Sequence, residues 1–141
     1  MNLRFLQEGS KFTLYSIEQG DSVHDFLAKL EQSNTGAHDQ IVSRLDQLAA
    51  AGVTRKQDHF NDLGDGLYEA KAKSGPRVIF FYDKNQIVLC THGFLKAKQK
   101  TPTKELKTAL AKKKAYFDFK KEGSAFQILY DSQRKLPTRF P

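Results

Sequence analysis

The sequence predicts a single α+β domain, and three observations carry that prediction. Apolar residues recur at helical spacing from residue 23 to 49, at strand spacing from 67 to 91, and at helical spacing again after residue 101. Only a few turn-forming residues separate the strand-like runs, so those strands must be antiparallel neighbours. The 141-residue chain is 39% hydrophobic, with eleven Phe and five Tyr, which suffices for one real core.

Each element has a local reason. Residues 11–17 (KFTLYSI) place Phe12, Leu14 and Tyr15 in an imperfect alternation that suits a short strand, and Gly20 and Asp21 end it. Val23, Phe26, Leu27 and Leu30 follow at i, i+3, i+4 and i+7, one face of a helix. Ser22 and Asp25 stand at capping-box spacing before that stripe. After a turn at 33–36, Ile41, Val42, Leu45, Leu48 and Ala49 line a second helix, and Gly52 sits where a helix end favours a left-handed residue. The two helices make an αα-hairpin.

Residues 67–73 (LYEAKAK) alternate, with Tyr68, Ala70 and Ala72 on one face and Glu69, Lys71 and Lys73 on the other. Ser74, Gly75 and Pro76 form a turn, residues 77–82 (RVIFFY) read as a central strand, and 83–86 turn again into 87–91 (IVLCT). Cys90, the single cysteine, belongs to that apolar run and reads as an inert core residue, with no disulfide or CxxC pair possible. Thr101 and Pro102 then signal a helix, threonine as cap and proline at the first helical position. Its expected buried stripe is Leu106, Ala109, Leu110 and Tyr116 or Phe117. Residues 126–130 (FQILY) form one more apolar run, either an added strand or a docking segment. The order β-α-α-β-β-β-α places the helices over one face of a mostly antiparallel sheet.

Charge is distributed unevenly along this frame. Residues 96–121 carry ten lysines against Glu105 and Asp118, a net +8, whereas the whole chain is +7 and residues 1–95 sum to −2. A clustered positive field attracts phosphates and gains from counterion release, so the charge points to a polyanionic partner, against the competing reading of a solvated lysine face. No apolar run approaches membrane-spanning length, and the N-terminus lacks a signal-peptide core, so the expected location is the cytoplasm with no membrane partner.

Known catalytic motifs are missing: no phosphate loop, G-x-G-x-x-G, HExxH or G-x-S-x-G appears. His24, His38, His59 and His92 lack ligand spacing and the carboxylates do not cluster, so neither a metal nor a cofactor is expected. Cationic and hydrogen-bonding groups remain near the strands: Lys71, Lys73, Arg77, His92, Lys96 and Lys98. Such groups can cleave RNA without metal. The 2′-OH attacks the adjacent phosphate, cations stabilise the pentavalent state, and an acid protonates the departing 5′ oxygen. Arginine suits the phosphate through its bidentate fork. The competing reading is that Arg77 ends a strand and pairs with a carboxylate, and that His92 is a satisfied structural histidine.

Gly66-Leu67-Tyr68-Glu69, residues 77–82 (RVIFFY), HGFLKAKQKTP at 92–102 and the following AKKKAYF together resemble the RelE/HigB superfamily of toxins, in its phage-derived HigB-like branch. The resemblance spans roughly residues 11–117. It implies a RelE-like fold with an N-terminal strand, an αα-hairpin, a three-strand antiparallel meander and a basic C-terminal helix. A toxin domain over 1–117 and a C-terminal extension over 118–141 packed on it are then expected. The activity implied is that of a small endoribonuclease cutting messenger RNA on the ribosome, held inactive by a cognate helix-turn-helix antitoxin. Arg77 carries over as the phosphate-binding arginine, Lys96 as its catalytic neighbour, and His92 as the candidate acid or base. Lys71, Lys73, Lys98, Lys100 and Tyr116 are the expected RNA-binding residues. The superfamily also contains members that inhibit DNA gyrase without cutting RNA, and an inactive nucleic-acid-binding phage protein is a further alternative.

Overall fold

The computed structural model describes residues 1–56, 58–96, 101–131, 133 and 135–141. In chain order the elements are β1 (Asn2–Glu8), β2 (Thr13–Ile17), α1 (Val23–Ser33), α2 (Thr35–Ala51), β3 (Phe60–Gly64), β4 (Leu67–Lys71), β5 (Pro76–Asp83), β6 (Ile87–Leu95), α3 (Thr103–Lys121) and β7 (Gln127–Leu129). The strands form one mixed sheet in the order β3-β4-β5-β6-β2-β1-β7. Strands β3 to β6 are an antiparallel meander, while β2 joins β6 and β7 joins β1 in parallel.

Local chemistry fixes several boundaries, and the turn expected at 33–36 narrows to Asn34, since α1 runs through Ser33 and α2 starts at Thr35. The Ser22 side chain accepts the Asp25 amide at 3.1 Å and starts α1, and Asn34 accepts the Ala37 amide at 3.1 Å to start α2. Gly52 ends α2 with φ 82°, a value that disfavours any side chain. Two strands were not expected. β1 pairs antiparallel with β2, and β3 extends the meander beyond β4. The 126–130 run supplies β7, a short strand on the sheet edge.

The expectation that helices cover one face is corrected. α1 and α2 cover one side, packing on Leu14, Ala70, Val78, Phe80, Val88 and Cys90. α3 covers the other, with Ala109 and Tyr116 against Tyr15, Leu67, Ile79, Phe81 and Leu89. Alternate residues of RVIFFY and IVLC therefore enter two cores, which is why these runs are continuously apolar. Burial pushes the Cys90 thiol up to about 12, in keeping with an inert core cysteine. Along α3, Leu110 and Phe117 face outward and Lys112 takes a buried position in their stead. Thr101 is not the helix cap either: Pro102 stands at the N-cap without a side-chain bond, and the Thr101 hydroxyl turns to Glu69.

β6 contains a one-residue bulge. Phe80 faces Cys90 but Ile79 faces His92, so Thr91 is the extra residue. A bulge inverts the alternation beyond it. His92 and Phe94 consequently face α3, and Gly93 faces α1, where a Cβ would meet the Phe26 ring at 2.2 Å. Lys112 holds the bulge by donating to the carbonyls of Thr91 at 2.8 Å and Asp21 at 2.9 Å. The chain end is fastened at the other end of the strands, by the β1–β2 turn. Arg139 donates to the Gly9 and Ser10 carbonyls, its own carbonyl accepts the Tyr15 hydroxyl at 2.6 Å, and Glu8 accepts the Thr138 amide at 2.9 Å.

Gly93→Ala should lower stability by about 1–3 kcal/mol, the usual cost of overpacking a filled contact. Urea denaturation measures it, and an unchanged midpoint would show that Phe26 is not seated on this backbone.

Candidate functional site

The α3 face carries the chemistry because alternation and the bulge put the relevant side chains there. Glu69 pairs with Ile79 in the ladder, Lys71 with Arg77, and Arg77 with Phe94. All of these project toward α3, at the end of the sheet where β4 turns into β5. Lys96 follows β6 directly, its amide donating to the Gly75 carbonyl at 3.0 Å.

The centre of this group is a carboxylate. Glu69 is fully buried, with Oε1 3.3 Å from Arg77 Nε and 3.8 Å from Lys96 Nζ. Its Oε2 accepts the Thr101 hydroxyl from the approach to α3. Arg77 also donates through Nη1 to the carbonyls of Ala72 at 2.7 Å and Pro76 at 3.0 Å, holding the β4–β5 turn. Among the described residues no hydrogen bond engages its Nη2. The Arg77 side chain is 15% exposed and that of Lys96 4%, so both cations lie beneath the surface. Burial lowers the Lys96 pKa; Glu69 opposes that shift, and the positive Arg77 and Lys71 reinforce it. Chemically, the arrangement sets a guanidinium and an ammonium on one carboxylate, with a third cation, Lys71, across the ladder.

His92 lies one rung from Arg77 on the same face. The Thr91 hydroxyl lies 3.3 Å from the Ile79 carbonyl and 3.0 Å from His92 Nδ1. His92 Nε2 faces Glu105 Oε1 of α3 at 3.6 Å. Burial keeps the His92 pKa below its ordinary value; Glu105 and Asp21 pull it upward and Lys112 pushes it down.

The structure thus brings together Arg77, Lys96 and Lys71, with His92 beside them under α3. Lys73 stands apart, exposed in the β4–β5 turn. Tyr116 does not join the group. It is fully buried toward the far end of β5, where its hydroxyl donates to Asp83 at 2.6 Å and its ring stacks on Phe126. Those are the surroundings of a packing residue, away from the Arg77 group. Burial draws the Asp83 carboxyl up, but the Lys120 ammonium at 2.5 Å and the Tyr116 hydroxyl more than offset this and hold it below the usual value. Lys98 and Lys100 lie outside the described residues. Sequence reasoning missed Glu69, Thr101, Glu105 and Lys112 as members. The one available signal was alternation, which set Glu69 on the same face as Lys71.

A pH measurement checks the His92 environment. Its folded pKa lies below the unfolded 6.5, so the unfolded chain binds a proton first as pH falls. Stability present above pH 6.5 is therefore lost as pH drops through the folded pKa. His59 is shifted the same way and adds the same sign. His92→Asn should flatten the fall in unfolding free energy between about pH 7 and 5, and an unchanged slope would show that His92 is not held neutral.

Comparison with known proteins adds one finding to this geometry. The family model described as phage-derived protein Gp49-like (DUF891) matches residues 25–114, more than half of the chain. No curated protein matches. The match runs from the start of α1 to the middle of α3 and includes Glu69, Arg77, His92 and Lys96. The chain therefore belongs to the phage-derived Gp49-like family, and through it to the RelE/HigB-like superfamily of toxin–antitoxin toxins.

Proposed function

We propose that the protein is a metal-independent endoribonuclease toxin that cuts messenger RNA on the ribosome and is neutralised by a cognate helix-turn-helix antitoxin. The observation that carries this reading is the convergence of Arg77, Lys96 and Lys71 at one corner of the sheet. Family membership supports the toxin part of it. Cleavage needs a fork for the phosphate, a second cation for the developing charge, and a group that moves protons. Arg77, with Nη2 free of hydrogen bonds among the described residues, offers the phosphate a guanidinium donor. Lys96, whose pKa is lowered, is suited to share the charge or the proton. His92 can exchange a proton, and Glu105, 3.6 Å from its Nε2, would stabilise the imidazolium. The lysines of residues 96–121, Lys98 and Lys100 among them, would bind the RNA backbone around this point. Residues 118–141 belong, on this reading, to an extension packed on a toxin domain of residues 1–117.

One specific observation favours a second reading. Arg77 already pairs with a buried carboxylate and two carbonyls, and His92 is 6% exposed beneath α3. Those are the contacts of structural residues, and they suit a toxin of the same fold that inhibits a protein such as gyrase without cutting RNA.

Arg77→Ala decides between them. Loss of one stabilising donor should slow RNA cleavage by about 10²–10³-fold, read by primer extension on translated messages. Arg77→Lys should fall between the two, keeping charge but losing the fork. Growth inhibition that persists in a folded Arg77→Ala variant, with intact transcripts and a DNA-damage response, would select the second reading.

A further inference from the structure

We infer that Glu69 is a positioning residue that sets the two cations of the site against each other and against the start of α3, an inference that rests on the cleavage reading. The argument begins with burial. A fully buried carboxylate is costly unless its charge and lone pairs are used. Here Oε2 is used by the Thr101 hydroxyl, while Oε1 has charged neighbours but no hydrogen bond. Arg77 Nε, 3.3 Å away, is likewise buried without a hydrogen-bond partner. The carboxylate therefore faces both cations through charge rather than through well-directed bonds. Such a pairing leaves Arg77 Nε without a hydrogen bond, while Nη1 is spent on the Ala72 and Pro76 carbonyls.

Geometry explains why the residue must stand on β4. Arg77 comes from β5, Lys96 follows β6, and Thr101 precedes α3. Only the α3-facing side of β4 looks at all three, and Glu69 lies there opposite Ile79. Without a negative charge between them, Arg77 and Lys96 would repel each other. The Glu69 carboxylate also offsets one positive charge of the group formed with Lys71. It thereby restrains binding of the RNA backbone while ordering the cations for the transition state, a division expected to act on rate and affinity in opposite directions.

The test is Glu69→Gln, which keeps size and one acceptor for Thr101 but removes the charge. Affinity for a non-cleavable 2′-O-methyl RNA oligonucleotide, read by fluorescence anisotropy, should rise several-fold as one negative charge leaves the cradle. The cleavage rate should fall by about 10- to 100-fold through misplacement of the cations. In parallel the Lys96 ammonium, followed by NMR, should titrate at lower pH, because Glu69 raises its pKa. Unchanged analogue affinity together with unchanged cleavage in a folded variant would overturn the inference. Should Glu69→Gln fail to fold, Thr101→Val should slow cleavage and Thr101→Ser restore it; a Thr101→Val protein equal to wild type would overturn it as well. If wild-type protein cuts no RNA, the proposed function falls by itself, and analogue affinity with Lys96 titration still decides the role of Glu69.

Discussion

The single extra residue at Thr91 decides on which side of the sheet His92 and Phe94 lie, and so whether they join Glu69 and Arg77. Before it, the odd and even residues of β6 enter two separate cores; after it the assignment is reversed. Without the bulge, His92 would point at α1 and Gly93 at α3, and the His-Gly-Phe sequence would make no packing sense. With it, the histidine and phenylalanine join Arg77 and Glu69, and glycine is the residue that can lie under the Phe26 ring. Buried Lys112 makes this arrangement tolerable. It gives the Thr91 carbonyl a charged donor and ties it to Asp21, beside the start of α1.

Lys112 also shows what a lysine-rich segment is made of. Net charge suggests one uniform cationic surface, yet the lysines of α3 divide among different tasks. Lys112 is buried on two carbonyls, Lys113 donates to the Asp65 carbonyl at 2.5 Å, and Lys120 neutralises Asp83 beside Tyr116. Lys114 pairs with Asp118 one turn on, an exposed contact of little energetic weight. The positive field persists regardless of these pairings, since most of the helix faces solvent. The specific cationic site lies elsewhere, at Arg77 and Lys96, and depends on the strands more than on the helix.

The far edge of the sheet follows a different logic. β1 and β7 lie outside the matched family region, as do the last residues that fasten the β1–β2 hairpin. Pairing β7 with β1 covers part of an edge that would otherwise expose unpaired backbone groups. Arg139 then closes the corner by satisfying carbonyls of the hairpin turn. This end is remote from Glu69, with β5, β6 and β2 standing between β4 and β1 in the sheet order.

Local information was legible from the residues alone. The caps at Ser22 and Gly52, the αα-hairpin, the meander, the basic helix and the fate of Cys90 all follow from periodicity and turn chemistry. Arg77, Lys96 and Lys71 could be nominated by residue type and strand position, and the structure does bring them together. β1 and β3 escaped because NLRFLQE and FNDLG hold few strand-forming residues, and partners distant in sequence make them strands. The two-sided burial was written in the unbroken apolar runs of β5 and β6, but periodicity cannot say which layer covers which side. Nor could it reveal that Thr101 reaches back 32 residues to Glu69, or that Tyr15 meets the carbonyl of Arg139, 124 residues on. The amino-acid order by itself determined the helices, the central meander and the sign of the charge, because these are properties of neighbouring residues. Which face, which edge and which counter-charge were decided only by the tertiary structure, because ladder register and burial are set by contacts between segments far apart in the chain.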